Sequence, residues 1–355
     1  MKLSPGARNF LFNLLACMPY LLYVGYVVST NQAPVDYYTF MDIGQRLLAG
    51  APVYVINSYY PMPTVIIFGF FSLLPRPLSL GLWLLIPVAL AWFISGRRPW
   101  VLVFGPLFAH FVGGQTAALA MLGLWGYRRS PDLQRFGGGA WLAVLAFKPQ
   151  LAIFPLLYAG RQWLMFLWRE RRIPAQAWGW AGGMVLYYLV GALAGGPAWP
   201  LDWLANPRPV GLRAQAGILP RTLIELGLQP PAALFWLLLG GGALGLVAGA
   251  WLWNHRRMPF DLWIFLGATF NLLMHDYDLI QLIPLINTPL LRKTAVLASI
   301  PLWLVILFAY QNDVAWYSVT FIPPALAWAA IRQSINHSST GVLREVTENT
   351  ELKRI

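Results

Sequence analysis

Apolar runs separated by short polar segments account for most of this sequence. The first run, from Asn9 to Ser29, has the length of about 20 residues that a straight membrane crossing requires. Further runs follow at roughly 62–75, 79–95, 99–127, 137–147, 149–160, 176–195, 232–253, 260–274, 279–290, 295–311 and 316–332. The pattern predicts an all-α polytopic membrane protein, with a single domain over residues 1–333 and about 10–12 transmembrane helices.

Four of these runs are too short for a straight crossing. Runs 62–75, 137–147, 149–160 and 279–290 fall short of the required length of about 20 residues. We expect each to be tilted, half-length or shielded inside the bundle, where irregular backbone can line a cavity. Broken helices of this kind indicate a site near them.

Two longer polar stretches, at about 30–61 and 197–231, are predicted to be extracytoplasmic loops. Within the first, "DYYTFMDIGQRLLAG" places Phe40, Ile43 and Leu47 at the spacing of one helix face. This spacing predicts an amphipathic helix, which we expect to lie in the membrane interface.

Composition supports the membrane class. Hydrophobic residues make up 58% of the 355 positions and charged residues 11%, whereas soluble domains carry about 25% charged residues. The single cysteine, Cys17, excludes an internal disulfide and a cysteine-based metal site. The first apolar run continues through Val28, which is too long for a cleaved signal peptide and fits an anchoring helix.

The net charge of +12 indicates how the chain is oriented in the membrane. Its excess of Lys and Arg lies in short loops between apolar runs, which argues against a nucleic-acid partner and places these loops in the cytoplasm. Lys2 and Arg8 place the N-terminus there too, and the polar tail 334–355 is predicted to be cytoplasmic. "GRRPW" at 96–100 opposes this tendency. The basic loops are 128–135, 168–172, 254–257 and 291–293.

Asp36 and Asp42 follow the first predicted crossing. Asp36 could cap the amphipathic helix, because carboxylates accept the free N–H groups of a first turn. It could equally be a general base held at the membrane face with access to a hydroxyl. The local sequence leaves both interpretations open.

A second polar cluster lies in "MHDYDLIQLIP" at 274–284. Ionisable groups beside apolar runs are costly enough to indicate function, which we favour for His275. For Asp278 we expect capping of a short helix at 279–290, and Asp276 shares that alternative.

Lys148, in "LAFKPQLAIFP", is isolated between apolar flanks. It could snorkel to the interface, but Pro149 breaks the helix after it, so we expect it to face a cavity and pair with an anion such as phosphate. "GGQ" at 113–115 allows close helix packing, which leaves Gln115 unexplained. In the second loop, Arg221 could clamp a phosphate.

No established metal or nucleotide motif is present. The histidines at 110, 255, 275 and 337 are scattered, and P-loop, GxGxxG, HExxH and CxxC patterns are missing from the sequence. We expect no cofactor, and a divalent metal beside Asp36, Asp276 and Asp278 is the alternative that we do not favour.

Taken in order, the polar motifs resemble the polyprenyl-phosphate-sugar-dependent glycosyltransferases of the GT-C fold, and most closely the alpha-mannosyltransferase-like glycosyltransferase family 87. The acid after the first crossing is followed by "LLAGAPVY" (47–54), "YYPMP" (59–63), "GGQ" (113–115), "FKPQ" (147–150), "AQAGILPRTL" (214–223) and "HDYDLIQLIP" (275–284). The second loop departs from the family, with Ala214 and Ala216 where Asn and Ser are common.

The resemblance implies a GT-C-type bundle that transfers a hexose, with mannose expected, from a polyprenyl-phosphate donor to a lipid or glycan acceptor. Asp36 matches the family's catalytic base and His275 its donor-phosphate ligand. Lys148 and Arg221 would add positive charge at that phosphate. Substrate-pocket candidates are Asp42, Tyr54, Tyr60, Gln115, Gln215, Asp276, Tyr277 and Asp278. A transporter or flippase of a lipid-linked sugar is the alternative, and a non-catalytic scaffold is a third.

Overall fold

The computed structural model describes residues 4–55, 58–206, 227, 259–271, 274–308 and 319–334, and every regular element within these ranges is helical. The first half contains α1 (Pro5–Thr30), α2 (Val35–Leu48), α3 (Met62–Ser72), α4 (Arg76–Ile94), α5 (Gly105–Gly113), α6 (Ala118–Arg129) and α7 (Phe136–Val144). The second half contains α8 (Ile153–Glu170), α9 (Ala175–Gly195), α10 (Trp199–Ala205), α11 (Phe260–Phe270), α12 (Pro289–Ala298), α13 (Ile300–Phe308) and a helical stretch at 322–334. Short 3₁₀ helices span Pro99–Val101, Leu145–Phe147, Pro149–Leu151 and Asp276–Leu285.

Three of the described helices are long and apolar enough to cross a membrane. They are Leu11–Thr30 within α1, Arg76–Ile94 and Ala175–Gly195. The described elements are all helical, as predicted, and these three helices support the coarse prediction of membrane-spanning segments.

The run 99–127 is not one helix, because the chain breaks at Gly114. Gly114 ends α5 in the left-handed conformation, with φ +63°, which costs glycine little. A Cβ there would lie 2.9 Å from the Pro34 side chain, and its carbonyl accepts a hydrogen bond of 2.6 Å from the Trp83 indole. The diglycine therefore makes a turn that is packed against the start of α2.

The short runs behave in different ways. Run 149–160 was predicted to be too short, but α8 extends through Glu170 to 18 residues, because one face stays apolar beyond Arg161. The shielding predicted for 279–290 is confirmed in part, since every residue from Asp278 to Leu285 is buried. That segment is a 3₁₀ helix that begins at Asp276 and ends at Leu285.

The predicted amphipathic helix is confirmed as α2, and its apolar face packs on protein, while its position in the membrane interface stays a prediction. Tyr37, Phe40 and Ile43 are buried. At Gly44 a Cβ would lie only 2.5 Å from the Phe68 backbone of α3. This close contact fixes α2 against α3 and so fixes the position of its first turn, which carries Asp36.

Candidate functional site

Asp36 lies where α2 meets the turn that follows α5. The Gln115 side-chain N–H₂ donates a hydrogen bond to Asp36 Oδ2. Gln115 is only 4% exposed, and no described donor reaches its Oε1. The amide orientation is determined by this contact, because an ionised carboxylate can only accept. Gln115 therefore holds one oxygen of Asp36.

Asp36 is not a helix cap. The N-cap of α2 is Pro34, the helix begins at Val35, and no side-chain cap hydrogen bond forms. Burial raises the pKa of Asp36, while the positive charges of Lys148 and His275 oppose the rise without cancelling it. A carboxylate with a raised pKa is a stronger base.

Lys148 is buried and forms an ion pair with Asp278. Its Nζ lies 2.5 Å from Asp278 Oδ1, and the two side chains are 3% and 0% exposed. The lysine occupies the junction between the 3₁₀ helices Leu145–Phe147 and Pro149–Leu151. Lys148 is therefore enclosed by protein and does not snorkel to the interface, while the cavity that we expected it to face stays a prediction. The anion that it contacts in the protein is a carboxylate, and binding of a phosphate stays a prediction.

The capping predicted for Asp278 is confirmed in part, because the N-cap is His275 and Asp278 contributes from the third helical position, and Asp278 also pairs with the lysine. Its Oδ2 accepts the backbone N–H of His275 at 3.1 Å and lies 3.5 Å from His275 Nδ1. Burial would raise the pKa of Asp278, but Lys148 and His275 outweigh burial and lower it to about 2. Asp278 is therefore a fixed negative charge at physiological pH.

Two tyrosines complete the group of side chains that we call the Asp36 cluster. Its other members are Asp36, Gln115, Lys148, His275 and Asp278. The Tyr277 ring stacks on the His275 ring at 5.1 Å and lies 4.8 Å from Lys148 Nζ. Tyr60 packs edge-on against Phe40, with ring centroids 5.1 Å apart. Burial and then the Asp36 charge raise the pKa of Tyr60, so it remains a phenol that can donate a hydrogen bond.

His275 is the accessible imidazole of this cluster. Its side chain is 20% exposed, whereas Lys148 and Asp278 are enclosed. Asp276, beside it, is half-buried, and burial raises the pKa of its carboxyl. A ligand would therefore meet His275 before the ion pair beneath it.

Several predicted site residues lie elsewhere. Asp42 pairs with Arg46 at 2.9 Å on the exposed side of α2, because six residues turn a helix by about 240° from Asp36. It is therefore not part of this cluster. Tyr54 lines a separate cavity. Arg221 and Gln215 lie outside the described residues.

One ion pair was missed from the sequence. Arg128, assigned to a cytoplasmic loop, donates to both carboxylate oxygens of Asp261 at 3.1 and 2.9 Å. It also donates to the Pro284 carbonyl at 3.1 Å. Arg128 thereby holds the far end of the 3₁₀ helix that carries Asp278. The available signal was Asp261, an isolated acid in the first turn of an apolar helix.

An apolar groove of about 90 Å³ leads from Gln115 between α3, α4 and α6. Phe68, Trp83, Pro87 and Leu119 are among its walls. The groove brings lipid-compatible surface to the residue that holds Asp36. Among the described residues, no three side chains of His, Cys, Asp or Glu converge as metal ligands.

The cluster thus combines a basic carboxylate, an accessible histidine and a buried lysine beside an apolar groove. These groups can accept a proton and stabilise negative charge. Comparison of the chain with models of known protein families, with curated proteins and with solved structures finds no match. The resemblance to glycosyltransferase family 87 rests on the sequence motifs alone.

Proposed function

We propose that this protein is an integral membrane glycosyltransferase that moves a hexose, with mannose expected, from a polyprenyl-phosphate carrier to a lipid or glycan acceptor. The observation that carries the proposal is the setting of Asp36. Its half-buried carboxylate is held by Gln115, its pKa is raised by partial burial, and it is within electrostatic reach of Lys148 and His275.

In the proposed reaction, Asp36 removes the proton of an acceptor hydroxyl while that oxygen attacks the anomeric carbon. The bond between this carbon and the phosphate oxygen breaks, and the polyprenyl phosphate leaves with the electron pair. Attack opposite the leaving group inverts the anomeric centre. A general base of this kind contributes about 10²- to 10⁴-fold to a rate.

The leaving phosphate needs positive charge more than a proton donor. His275, at the exposed edge of the cluster, would contact the phosphate first, and Lys148 would act from beneath. Asp278 orders both cations by its contacts with them. Arg221 keeps its predicted role at the phosphate.

Gln115 links the base to the lipid. The Gln115 amide holds Asp36 Oδ2 and also lines the apolar groove. A polyprenyl chain in that groove would bring its phosphate toward the base and the two cations. The groove is lined by apolar side chains, as expected for a hydrocarbon ligand, and its volume of about 90 Å³ accommodates only the part of the chain next to the phosphate.

The proposal includes a multi-pass topology in the cell membrane, with cytoplasmic termini and the Asp36 cluster on the extracytoplasmic face. The segment from Asp276 to Leu285 runs from the cluster to Arg128. A 3₁₀ helix of ten residues spans about 20 Å, which is less than the hydrocarbon thickness of about 30 Å. A partial crossing of this kind fits a re-entrant segment inside the bundle.

The test is release of polyprenyl phosphate from synthetic polyprenyl-phosphate mannose, with membrane-extract acceptors and detergent-purified protein. Asp36→Asn should reduce turnover by about 10²-fold or more while lipid binding persists. Asp42→Asn is the matched control, because this exposed acid on the same helix should leave turnover within about twofold. Equal turnover in wild type and Asp36→Asn would remove Asp36 as the base.

The buried Lys148–Asp278 pair also suits a transporter of lipid-linked sugars, because such pairs line ion and substrate pathways inside membranes. Reconstituted vesicles distinguish the two functions. Movement of polyprenyl-phosphate mannose between leaflets without loss of the sugar would favour the transporter, and sugar transfer would favour the enzyme.

A further inference from the structure

A second cavity, separate from the Asp36 cluster, lies between the C-terminal end of α2, the end of α9 and α10. Its volume is about 620 Å³, large enough for a sugar ring with room for neighbouring groups. Much of its wall consists of small residues, among them Gly50, Ala194 and Ala205. At Gly50 an added Cβ would meet open space.

The polar groups of this cavity are mostly acceptors. Asp202 contributes a carboxylate and Asn206 an amide. The Asn206 amide nitrogen donates two hydrogen bonds, one to the Val55 carbonyl at 3.3 Å and one to the Ser58 carbonyl at 2.6 Å. Asn206 is 6% exposed, and in the described part of the chain no donor reaches its Oδ1. That oxygen has almost no accessible surface, so the carboxylate of the exposed Asp202 is the acceptor that a ligand hydroxyl can reach.

Tyr54 lies in the same wall, with its hydroxyl buried. Burial and then the Asp202 charge raise the pKa of Tyr54, so its hydroxyl stays protonated. None of the described residues that line the cavity is Lys, Arg or His. This chemistry disfavours a phosphate and favours a neutral ligand rich in hydroxyls, since each hydroxyl both donates and accepts.

We propose that this cavity binds a sugar ring of a glycan acceptor, a reading that rests on the proposed function. The cavity and the Asp36 cluster are separated along α2. The rise from Asp36 to Leu47, which lines the cavity, is about 16 Å. Tyr60 of the cluster and Met62 of the cavity are two residues apart in the chain. A glycan that binds in the cavity and presents a hydroxyl to Asp36 must therefore contain several sugar rings.

Direct binding tests the cavity without the reaction. Saturation-transfer NMR with α-mannotriose and with maltotriose, on the purified full chain without donor, should show binding of at least one. Asp36→Asn should bind as wild type does. Ala205→Trp, which fills the cavity from an exposed position, should abolish binding, and Asp202→Asn should weaken it at least tenfold. Ala198→Trp, exposed on α10's N-terminal side and outside the cavity lining, is the matched control.

Three results would overturn the proposal. They are an absence of binding by both trisaccharides, unchanged binding in Ala205→Trp and Asp202→Asn, or stronger binding of mannose 6-phosphate than of neutral sugars. Different results would reject the proposed function. Sugar binding without any transfer would reject the enzyme and retain the cavity, whereas transfer with an unchanged acceptor KM in Ala205→Trp would retain the enzyme and reject the cavity.

Discussion

Replacing Lys148 with Met should destabilise the protein strongly, because the Asp278 carboxylate would remain buried without its cation. The two side chains are 3% and 0% exposed, with 2.5 Å between Nζ and Oδ1. Removing one partner of a buried ion pair costs about 3–5 kcal/mol. His275 still donates its N–H to Asp278, so we expect the lower end, about 3 kcal/mol.

Thermal unfolding in detergent measures this loss. For chains of 150–250 residues, 1 kcal/mol lowers Tm by about 2–4 °C, and less in longer chains, so Lys148→Met should lower Tm by about 5 °C. Asp42→Asn is the control. It breaks the Asp42–Arg46 pair, whose side chains are 60% and 40% exposed, and such surface pairs contribute about 0–1 kcal/mol.

The double variant Lys148→Met/Asp278→Asn isolates the pair. Removing both charges should recover much of the lost stability, and the coupling energy between the two residues should reach about 2 kcal/mol.

The contribution of Asp278 to stability depends on pH with a defined sign. In the wild type the folded pKa of Asp278, about 2, is below its ordinary value of 3.8, so its stabilisation is present above about pH 4 and is lost between pH 4 and 2. Without Lys148, burial raises that pKa, so Lys148→Met should be more destabilising at pH 8 than at pH 5. Additive single variants, or a loss no greater than that of Asp42→Asn, would refute the buried pair.

Two further predictions concern the base and the fold. Gln115→Leu removes the N–H donor to ionised Asp36. The acidic limb of the pH profile of kcat/KM should therefore move to higher pH, and kcat/KM at pH 7 should fall about tenfold. An unchanged profile would contradict a positioning role for Gln115. Gly44→Ala places a Cβ 2.5 Å from the Phe68 backbone and should abolish folded protein in size-exclusion chromatography, whereas Gly81→Ala, with nothing within 4 Å, should behave as wild type; equal yields of the two variants would show that α2 is not fixed as described.

The hydrophobic periodicity predicted helix α2 but not helix α3, against which its apolar face packs. The spacing of Phe40, Ile43 and Leu47 identifies a helix with one apolar face, and the structure confirms the helix. Whether that face covers lipid or protein depends on the neighbour. Here the deciding residue is Gly44, whose missing Cβ admits the backbone of α3. Such a contact cannot be identified from a hydrophobic pattern, which treats Gly44 as neutral.

Hydropathy also missed the break at Gly114. The run 99–127 is apolar on both sides of it, so composition predicts one continuous segment. The left-handed turn there depends on the backbone, and its stability comes from contacts with Pro34 and Trp83. These partners are distant in sequence. The turn presents Gln115 to Asp36, the contact on which the proposed function depends.

The sequence identified Lys148 and Asp278 separately and gave each a local explanation. Lys148 was expected to meet a phosphate and Asp278 to cap a helix. The capping is present, but the residues also pair across 130 positions. Local patterns cannot predict such a contact, because it depends on how α7, α8 and the 276–285 helix pack. The cost of burying either charge alone indicated only that each needs a partner.

This pairing explains how Asp36 can be basic so close to a lysine. An ammonium group that paired directly with Asp36 would stabilise its charged form and lower its pKa. Lys148 instead forms its close contact with Asp278, and its effect on Asp36 is smaller than the opposing effect of burial. Asp278 thus has two consequences. It holds the Lys148 ammonium group in a close contact away from Asp36, and it leaves Asp36 with a raised pKa, as the proposed proton transfer requires.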